Sequence, residues 1–131
     1  SIKDDMVDIY RDIEESDNII VASPMYFSSF PGPMKNLIDR CQIYWSKKFI
    51  LKDRIAKKKR KGALFVTSGI NEEELFLPME VTARYFFKSI DADFIYRLYA
   101  ADTDILSVEE NKEILGKAQK IGEDLGKSNK K

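Results

Sequence analysis

The chain has 131 residues, 22 of them basic and 22 acidic, and 44% are hydrophobic, so its formal net charge is zero. That is the size and make-up of one globular domain, and no apolar run approaches the ~20 residues that span a bilayer. There is no histidine and one cysteine, Cys41, which excludes Ser-His-Asp catalysis, a histidine base, His-ligated metal, an intrachain disulfide, a zinc knuckle and a CxxC redox pair.

Any redox chemistry would therefore rest on a bound cofactor rather than on side chains. The first ten residues are acidic rather than basic-then-apolar, unlike a secretory leader, and a cytoplasmic protein is expected. Charge is uneven along the chain. Residues 1–22 hold seven acids and two bases, whereas residues 47–61 hold nine bases and one acid. The run Lys57-Lys58-Lys59-Arg60-Lys61 could be a nucleic-acid patch. No aromatic residue interleaves it, as a single-strand binder would want, so a solvated connection before a buried strand is the better reading and no nucleic-acid partner is expected.

In chain order, Asp4 or Asp5 caps a first helix, and Met6, Ile9, Tyr10 and Ile13 recur at helical spacing. Asp17-Asn18 breaks it. Ile19-Ile20-Val21-Ala22 is a continuous apolar run, the pattern of a strand buried on both faces. A turn-rich stretch, residues 23–32, leads to a helix that starts at Pro31 or Pro33. There Met34, Leu37, Ile38, Cys41 and Tyr44 or Trp45 keep helical spacing. Gly62 precedes a second buried strand, Ala63-Leu64-Phe65-Val66-Thr67, which Ser68-Gly69 ends. A third helix should start near Pro78, with Met79, Ala83, Phe86 and Ile90 inward. Residues 92–101 form a third strand with Phe94, Tyr96, Leu98 and Ala100 on one face and Ile95, Arg97 and Tyr99 on the other; Arg97 marks it as an edge strand. A last helix spans about 108–125, with Ile114, Leu115, Ala118, Ile121 and Leu125 inward. Gly126 stops it, and residues 127–131 are expected to be a disordered tail.

Strands alternating with helices predict an α/β fold, a doubly wound parallel sheet. Three strands are few for such a sheet, and two of them read as buried on both faces. We therefore expect further strands beside them, in an N-terminal portion that precedes this sequence or lies on another chain. Residues 1–126 would then be one N-terminally incomplete domain.

Ligands of open parallel sheets bind beyond the carboxyl ends of the strands. The loop after the first strand reads Ser23-Pro24-Met25-Tyr26-Phe27-Ser28-Ser29-Phe30-Pro31-Gly32. It suits a flat heteroaromatic ligand. Pro24 fixes its own φ, the serine hydroxyls can bond polar edges, and Tyr26, Phe27 and Phe30 can stack or shield. Ordinary loop packing is the alternative for Tyr26 and Phe27.

The stretch Ala22-Ser-Pro-Met-Tyr-Phe-Ser-Ser-Phe-Pro-Gly-Pro-Met-Lys-Asn-Leu-Ile-Asp-Arg40 resembles the third-strand loop and following helix of the NADPH-dependent FMN reductase and iron–sulfur flavoprotein group. Weaker likeness extends to Asp4-Asp5-Met6, to residues 58–67 and to residues 102–106. The resemblance implies a flavodoxin-like sheet of order 2-1-3-4-5 that binds FMN, with the third, fourth and fifth strands present here. It implies that Ser23, Pro24, Met25, Tyr26, Phe27, Ser28 and Ser29 contact the isoalloxazine and ribityl chain, largely through backbone. Thr67, Ser68 and Gly69 would form a second wall. Lys35 and Asp39-Arg40 match the motif as helix surface or subunit contacts. The first strand, the serine-rich phosphate loop and the second strand of the family pattern are not in this sequence, nor is the segment where iron–sulfur members carry clustered cysteines. An iron–sulfur cluster is thus left undetermined, and Cys41 is read as a packed thiol.

The function implied is an FMN-dependent oxidoreductase with NAD(P)H as co-substrate and a small-molecule or protein electron acceptor. No side chain is needed as an acid–base catalyst, and no metal site is expected. The alternatives are a non-enzymatic flavodoxin-like electron carrier and a cofactor-less α/β interaction domain. The family tends to form dimers or tetramers, so a homodimer or homotetramer with no membrane partner is expected. Tyr44 and Trp45 are open between core packing and a subunit interface.

Overall fold

The computed structural model describes residues 4–56 and 58–127. Among them the elements run α1 (Met6–Glu15), β1 (Ile19–Pro24), α2 (Gly32–Arg40), α3 (Gln42–Phe49), β2 (Arg60–Thr67), α4 (Glu73–Ser89), β3 (Ala92–Ala100) and α5 (Lys112–Lys127). The strands form one parallel sheet in the order β1-β2-β3, so β2 is central. Residues 128–131, expected as a tail, lie outside the described residues.

Asp4, of the two candidate caps, accepts the Met6 amide at 3.0 Å and so satisfies one of the free donors at the start of α1. Met6 and Ile13 enter the core, with Ile9 and Tyr10 packed against it. The expected single helix after Gly32 divides at Cys41 into α2 and α3. Lys35 pairs with Asp39 at 2.7 Å within α2, and Arg40 reaches Asp4 at 2.7 Å, tying α2 to the start of α1. Tyr44 belongs to the core: its ring meets that of Tyr10 edge-on at 5.6 Å, and its hydroxyl bonds to Tyr10 O and Glu14, each at 3.2 Å. Trp45 stays half-buried at the surface.

Helices α1 to α4 share one face of the sheet with Val21, Leu64, Val66, Phe76, Met79, Phe86 and Phe87 in a single core. Of the described helices, only α5 lies on the other. Consequently β1 is not buried on both faces, contrary to its apolar run. Val21 and Ser23 are covered, but Ile20 is 47% exposed: α5 packs chiefly over β3, and its C-terminal end touches the start of β1 where Asn18 Nδ2 donates to Leu125 O at 2.7 Å.

Helix α4 begins at Glu73, five residues before Pro78. Proline lacks the N–H that would bond the Glu74 carbonyl, yet that carbonyl lies on the exposed side, where water can replace the bond. The last helix begins at Lys112, after turns over 103–110, and continues through Gly126 to Lys127. Glycine weakens a helix but does not oblige it to stop.

The third strand keeps its edge position but not its expected faces. Gly62 pairs with Phe94 and Ala63 with Tyr96, so Ile95 is an extra residue and the alternation reverses there. Phe94 therefore joins Arg97 and Tyr99 on the α4 side. The Arg97 guanidinium lies 3.9 Å from the Phe94 ring centre, and Phe87 is 5.1 Å from it. Gly62 makes this possible: a Cβ there would fall 2.6 Å from the Phe87 ring.

The basic run is not uniformly solvated. Lys58 and Lys59 are exposed and Lys58 pairs with Asp17, but Arg60 is 2% exposed. Its side chain donates to the carbonyls of Ile90, Ile13 and Ser16 (Nε to Ile90 at 3.0 Å, Nη1 to Ser16 at 3.1 Å), the ends of α4 and α1. A guanidinium with five donors can serve several carbonyls at once. Next to it, Asp91 stands at φ 57°, a region that Asp and Asn tolerate. Its Oδ2 accepts the Ile55 and Ala56 amides at 3.0 and 3.3 Å, and Oδ1 lies 2.8 Å from Lys48 Nζ.

Two predictions follow from this packing. Gly62→Ala is expected to destabilise the fold by about 2 kcal/mol or more by displacing Phe87, read as a lower urea midpoint. For Asp91, burial opposes ionisation, but Lys48 and the two amides outweigh it and hold the carboxyl below its ordinary 3.8. A lowered carboxyl pKa contributes stability above the unfolded value and loses it as pH falls through the folded one. Asp91→Asn keeps the shape and tolerates the positive φ, so it should cost about 1–3 kcal/mol at pH 7. That deficit should shrink when the denaturation is repeated below pH 3.8.

Candidate functional site

The carboxyl ends of all three strands open on the same side, and their loops are tied together by backbone bonds. The Met25 amide donates to Thr67 O at 2.9 Å, the Ser68 amide to Ala100 O at 2.9 Å, and the Thr103 amide to Ser68 O at 3.1 Å. Residues 23–29 and 67–69, read separately in the sequence, are thus brought side by side. Residues 100–104 form a third component.

The first loop makes a tight turn. Tyr26 and Ser29 exchange backbone bonds at 3.0 and 3.1 Å. The two residues between them, Phe27 and Ser28, have φ of 50° and 60°. This is the left-handed pairing of a type I′ turn, usually built from Asn and Gly. An aromatic residue there is strained, at a cost of order 1–3 kcal/mol, and such strain gathers at functional sites. Phe27 projects fully into solvent and Tyr26 is 61% exposed. The amides of Phe27 and Ser28 in the first loop and of Gly69 in the second have no acceptor among the described residues.

The side chains divide into anchors and rim. Ser23 is buried and its hydroxyl donates to Pro24 O at 2.9 Å. The Ser28 hydroxyl donates to Leu75 O in the first turn of α4. Ser68 is buried too; its oxygen accepts the Ile70 amide at 3.1 Å and lies 3.9 Å from Met25 Sδ. These hydroxyls hold the loops rather than face a ligand. Phe30 is 5% exposed and anchors the loop in the core, so it does not shield the opening as its aromatic character suggested. Pro24, Tyr26, Phe27, Ser29, half-buried Thr67 and exposed Gly69 remain on the rim.

Three rim residues were not singled out from sequence. Asp102, at φ 54°, accepts a hydrogen bond from Asn71 Nδ2 at 3.1 Å. Asp104 Oδ2 would lie 2.8 Å from a Cβ at position 69, so glycine there lets the second and third loops close up. The rule that sites lie at carboxyl strand ends, applied to the third strand as it was to the first, would have found them.

Two cavities flank this rim. One of about 720 Å³ lies on the α4 side, lined by Glu72, Glu73, Glu74, Phe76, Leu77, Glu80 and Tyr99. Tyr99 stacks on Phe76 at 4.3 Å and donates its hydroxyl to Glu80; burial, then Glu80, raises the phenol's pKa. The other, about 350 Å³ and apolar, lies on the α5 side between Ala22, Pro24, Phe65 and Thr67 of the sheet and Ile114, Leu115 and Ala118 of α5. Cys41 is buried away from both, and burial lifts its thiol to about 11. That suits the packed thiol expected. Among the described residues no group of three or more Cys, Asp or Glu could hold a metal. No described helix is long and apolar enough to cross a membrane.

Sequence comparison bears directly on this strand-end arrangement. A model of the family described as NADPH-dependent FMN reductase matches residues 1–74, which include the whole first loop. The chain belongs to the NADPH-dependent FMN reductase family. It is 31% identical to an iron–sulfur flavoprotein of Archaeoglobus fulgidus over 96% of its own length and 52% of the relative's. A second iron–sulfur flavoprotein, from Methanosarcina thermophila, is 41% identical over 41% of this chain and 28% of its own. The chain thus spans about half the length of the Archaeoglobus relative it matches. Among solved structures, a flavone reductase superposes with a TM-score of 0.68 at 14% identity, covering 93% of this chain and 45% of its own. The fold is accordingly flavodoxin-like, and the chain is of a flavoprotein family.

Tested against FMN, the donors and open rim between the loops fit a flat ring system with polar edges. The described residues do not fit its phosphate. The start of α4 is lined by Glu72, Glu73 and Glu74, and the start of α2 is Gly32-Pro33, where proline removes a donor. The strain at Phe27 gives a direct check. Phe27→Gly should leave stability unchanged or raise it by up to about 1 kcal/mol, whereas Phe27→Ala, which keeps the left-handed penalty, should not raise it. Thermal denaturation of the two variants reads the difference.

Proposed function

We propose that this chain supplies the ring-binding half of an FMN site in an NAD(P)H-dependent oxidoreductase. The observation that carries the proposal is the convergence of three strand-end loops around unpaired amides, with a strained aromatic turn at the rim. Ser23, Pro24, Met25, Tyr26, Phe27, Ser28 and Ser29 form one wall, and Thr67, Ser68 and Gly69 the other. FMN, when bound, supplies the two-electron redox chemistry that no side chain here can perform.

The chain's own contribution is binding and orientation. Amides of Phe27, Ser28 and Gly69 donate to polar edges of the ring, and such donors also favour the more electron-rich form of whatever they hold. The buried hydroxyls of Ser23 and Ser68 and the Ser28 bond to Leu75 fix the loops, so the donors need little reorganisation. Phe27 and Tyr26, both exposed, shield one side of the ring and leave the other open to a nicotinamide or an acceptor. The phosphate would be held by residues outside those described. The acceptor would be a small molecule or a redox protein, and the working form a homodimer or homotetramer.

Mixing the flavin-loaded protein anaerobically with NADPH or NADH tests this. Loss of the flavin's visible absorbance within seconds is the expected result. A flavin that stays oxidised with both nicotinamides would contradict the enzyme reading.

A further inference from the structure

Charge is divided between the two ends of the sheet. Segments 22–34, 67–77 and 100–111, at the carboxyl end, hold seven acids and no base. Bases gather at the amino end, where α3 runs out into a turn ahead of β2. Lys47, Lys48, Lys52 and Arg54 come from α3 and this turn, and Arg84 and Lys88 from the end of α4. Lys48, Arg54, Arg84 and Lys88 line one depression of about 260 Å³. Lys48 and Arg54 lie 2.8 and 3.7 Å from buried Asp91. The other four have no carboxylate partner among the described residues, although two exposed acids, Asp53 and Asp93, lie in the same region.

Amid these bases stand two bare aliphatic side chains. Ile50 is 73% and Leu51 71% exposed, next to Phe49 at 42%. The turn that carries them is closed by its backbone. The Ile50 and Leu51 amides donate to Ser46 O at 3.0 and 3.2 Å, and the Asp53 amide donates to Lys47 O at 2.9 Å, with Lys52 at φ 54°. The end of α3 thus satisfies its carbonyls while Ile50 and Leu51 are held outward. An apolar tip rimmed by charge marks a contact surface, and the two chemistries together select its occupant. An anionic lipid surface offers phosphates to the bases and acyl chains to the tip, and lysine stems can lie along that boundary. A single-stranded nucleic acid offers the charge but wants free aromatic faces. Here Trp45 and Phe49 pack on each other at 4.2 Å with Lys88 over both rings, and the tip itself is aliphatic.

We infer that the turn at residues 49–52 docks this chain on anionic lipid surfaces. Ile50 and Leu51 enter the boundary between headgroups and acyl chains, and Lys47, Lys52, Arg84 and Lys88 meet the headgroups. The contact is peripheral and needs no membrane-spanning helix, which is why a search of the sequence for apolar runs does not find it. The acidic carboxyl end is repelled by the same surface, so the strand-end loops face the water. The contact does not depend on flavin binding, and its test is separate from the enzymatic one.

Co-sedimentation with vesicles of phosphatidylcholine, alone or with about one-third phosphatidylglycerol, tests this. Partition onto the anionic vesicles should be at least about tenfold stronger. Raising NaCl from about 0.1 to about 0.5 M should weaken it at least about fivefold. Replacing both aliphatic residues, Ile50→Ser with Leu51→Ser, should weaken it about tenfold or more, as should Lys52→Glu with Lys88→Glu. A polarity-sensitive dye on Leu51→Cys should shift to the blue on anionic vesicles; Cys41, 1% exposed, stays unlabelled. The same dye on Ile105→Cys, a position 85% exposed at the carboxyl end, should not shift. Equal partition onto both vesicles would overturn the inference. So would binding that the double serine variant leaves intact, equal dye shifts at positions 51 and 105, or tighter binding to a single-stranded oligonucleotide than to anionic vesicles. Circular dichroism and urea midpoints of the variants keep misfolding distinct from lost docking.

Discussion

The fold turns on one buried cation. Arg60 opens the central strand, and its guanidinium gathers the carbonyl ends of α1 and α4 through Ile13, Ser16 and Ile90. Helix C-termini carry partial negative charge and unbonded carbonyls, so one fork of donors satisfies both ends and fixes their position on the sheet. Burial lowers the Arg60 pKa, and Asp91 next in line after Ile90 works against that. Asp91 in turn receives the Ile55 and Ala56 amides, so the connection into β2 is held at the same end. The amino end of the sheet is thereby closed by charge-assisted bonds, which are stronger than neutral ones.

With that end closed, the loops of the proposed site are left to the carboxyl end. Their positions follow from the parallel register: Pro24 opposite Thr67, and Thr67 opposite Ala100, bring three loop starts level with one another. The strained turn at Phe27 and Ser28 is affordable because Phe30, Ser23 and the Ser28 bond to Leu75 hold its base. The uncovered side of β1, with Ile20 and the apolar cavity beside α5, lies next to the same loops. The chain spans only about half of the Archaeoglobus relative, and under our proposal the described part supplies the ring-facing half of a flavin site.

Much of this was legible in the sequence, and the exceptions have common causes. Periodicity located the three strands and the helices around them, but not the break at Cys41 that divides α2 from α3 or the early start of α4. The direction of side chains was less legible. Phe94 changed faces through a bulge that depends on a contact between Gly62 and Phe87, residues distant in sequence. Arg60 sat in a lysine-rich run that reads as solvent-exposed, and only the meeting of two helix ends makes its burial favourable. Ile20 looked buried because apolar runs report what a strand could bury, not whether an element arrives to cover it. Ser23 and Ser28 read as hydroxyls able to bond a ligand, but each donates to a backbone carbonyl instead.

The central claim is that this chain binds the flavin ring and not the phosphate, at the junction of three loops. Amide chemical-shift titrations of the chain with riboflavin and with FMN test it most directly. Equal affinity for the two, with shifts concentrated at residues 24–29, 67–71 and 101–104, is the result expected. Much tighter binding of FMN than of riboflavin, or shifts centred away from these loops, would contradict it.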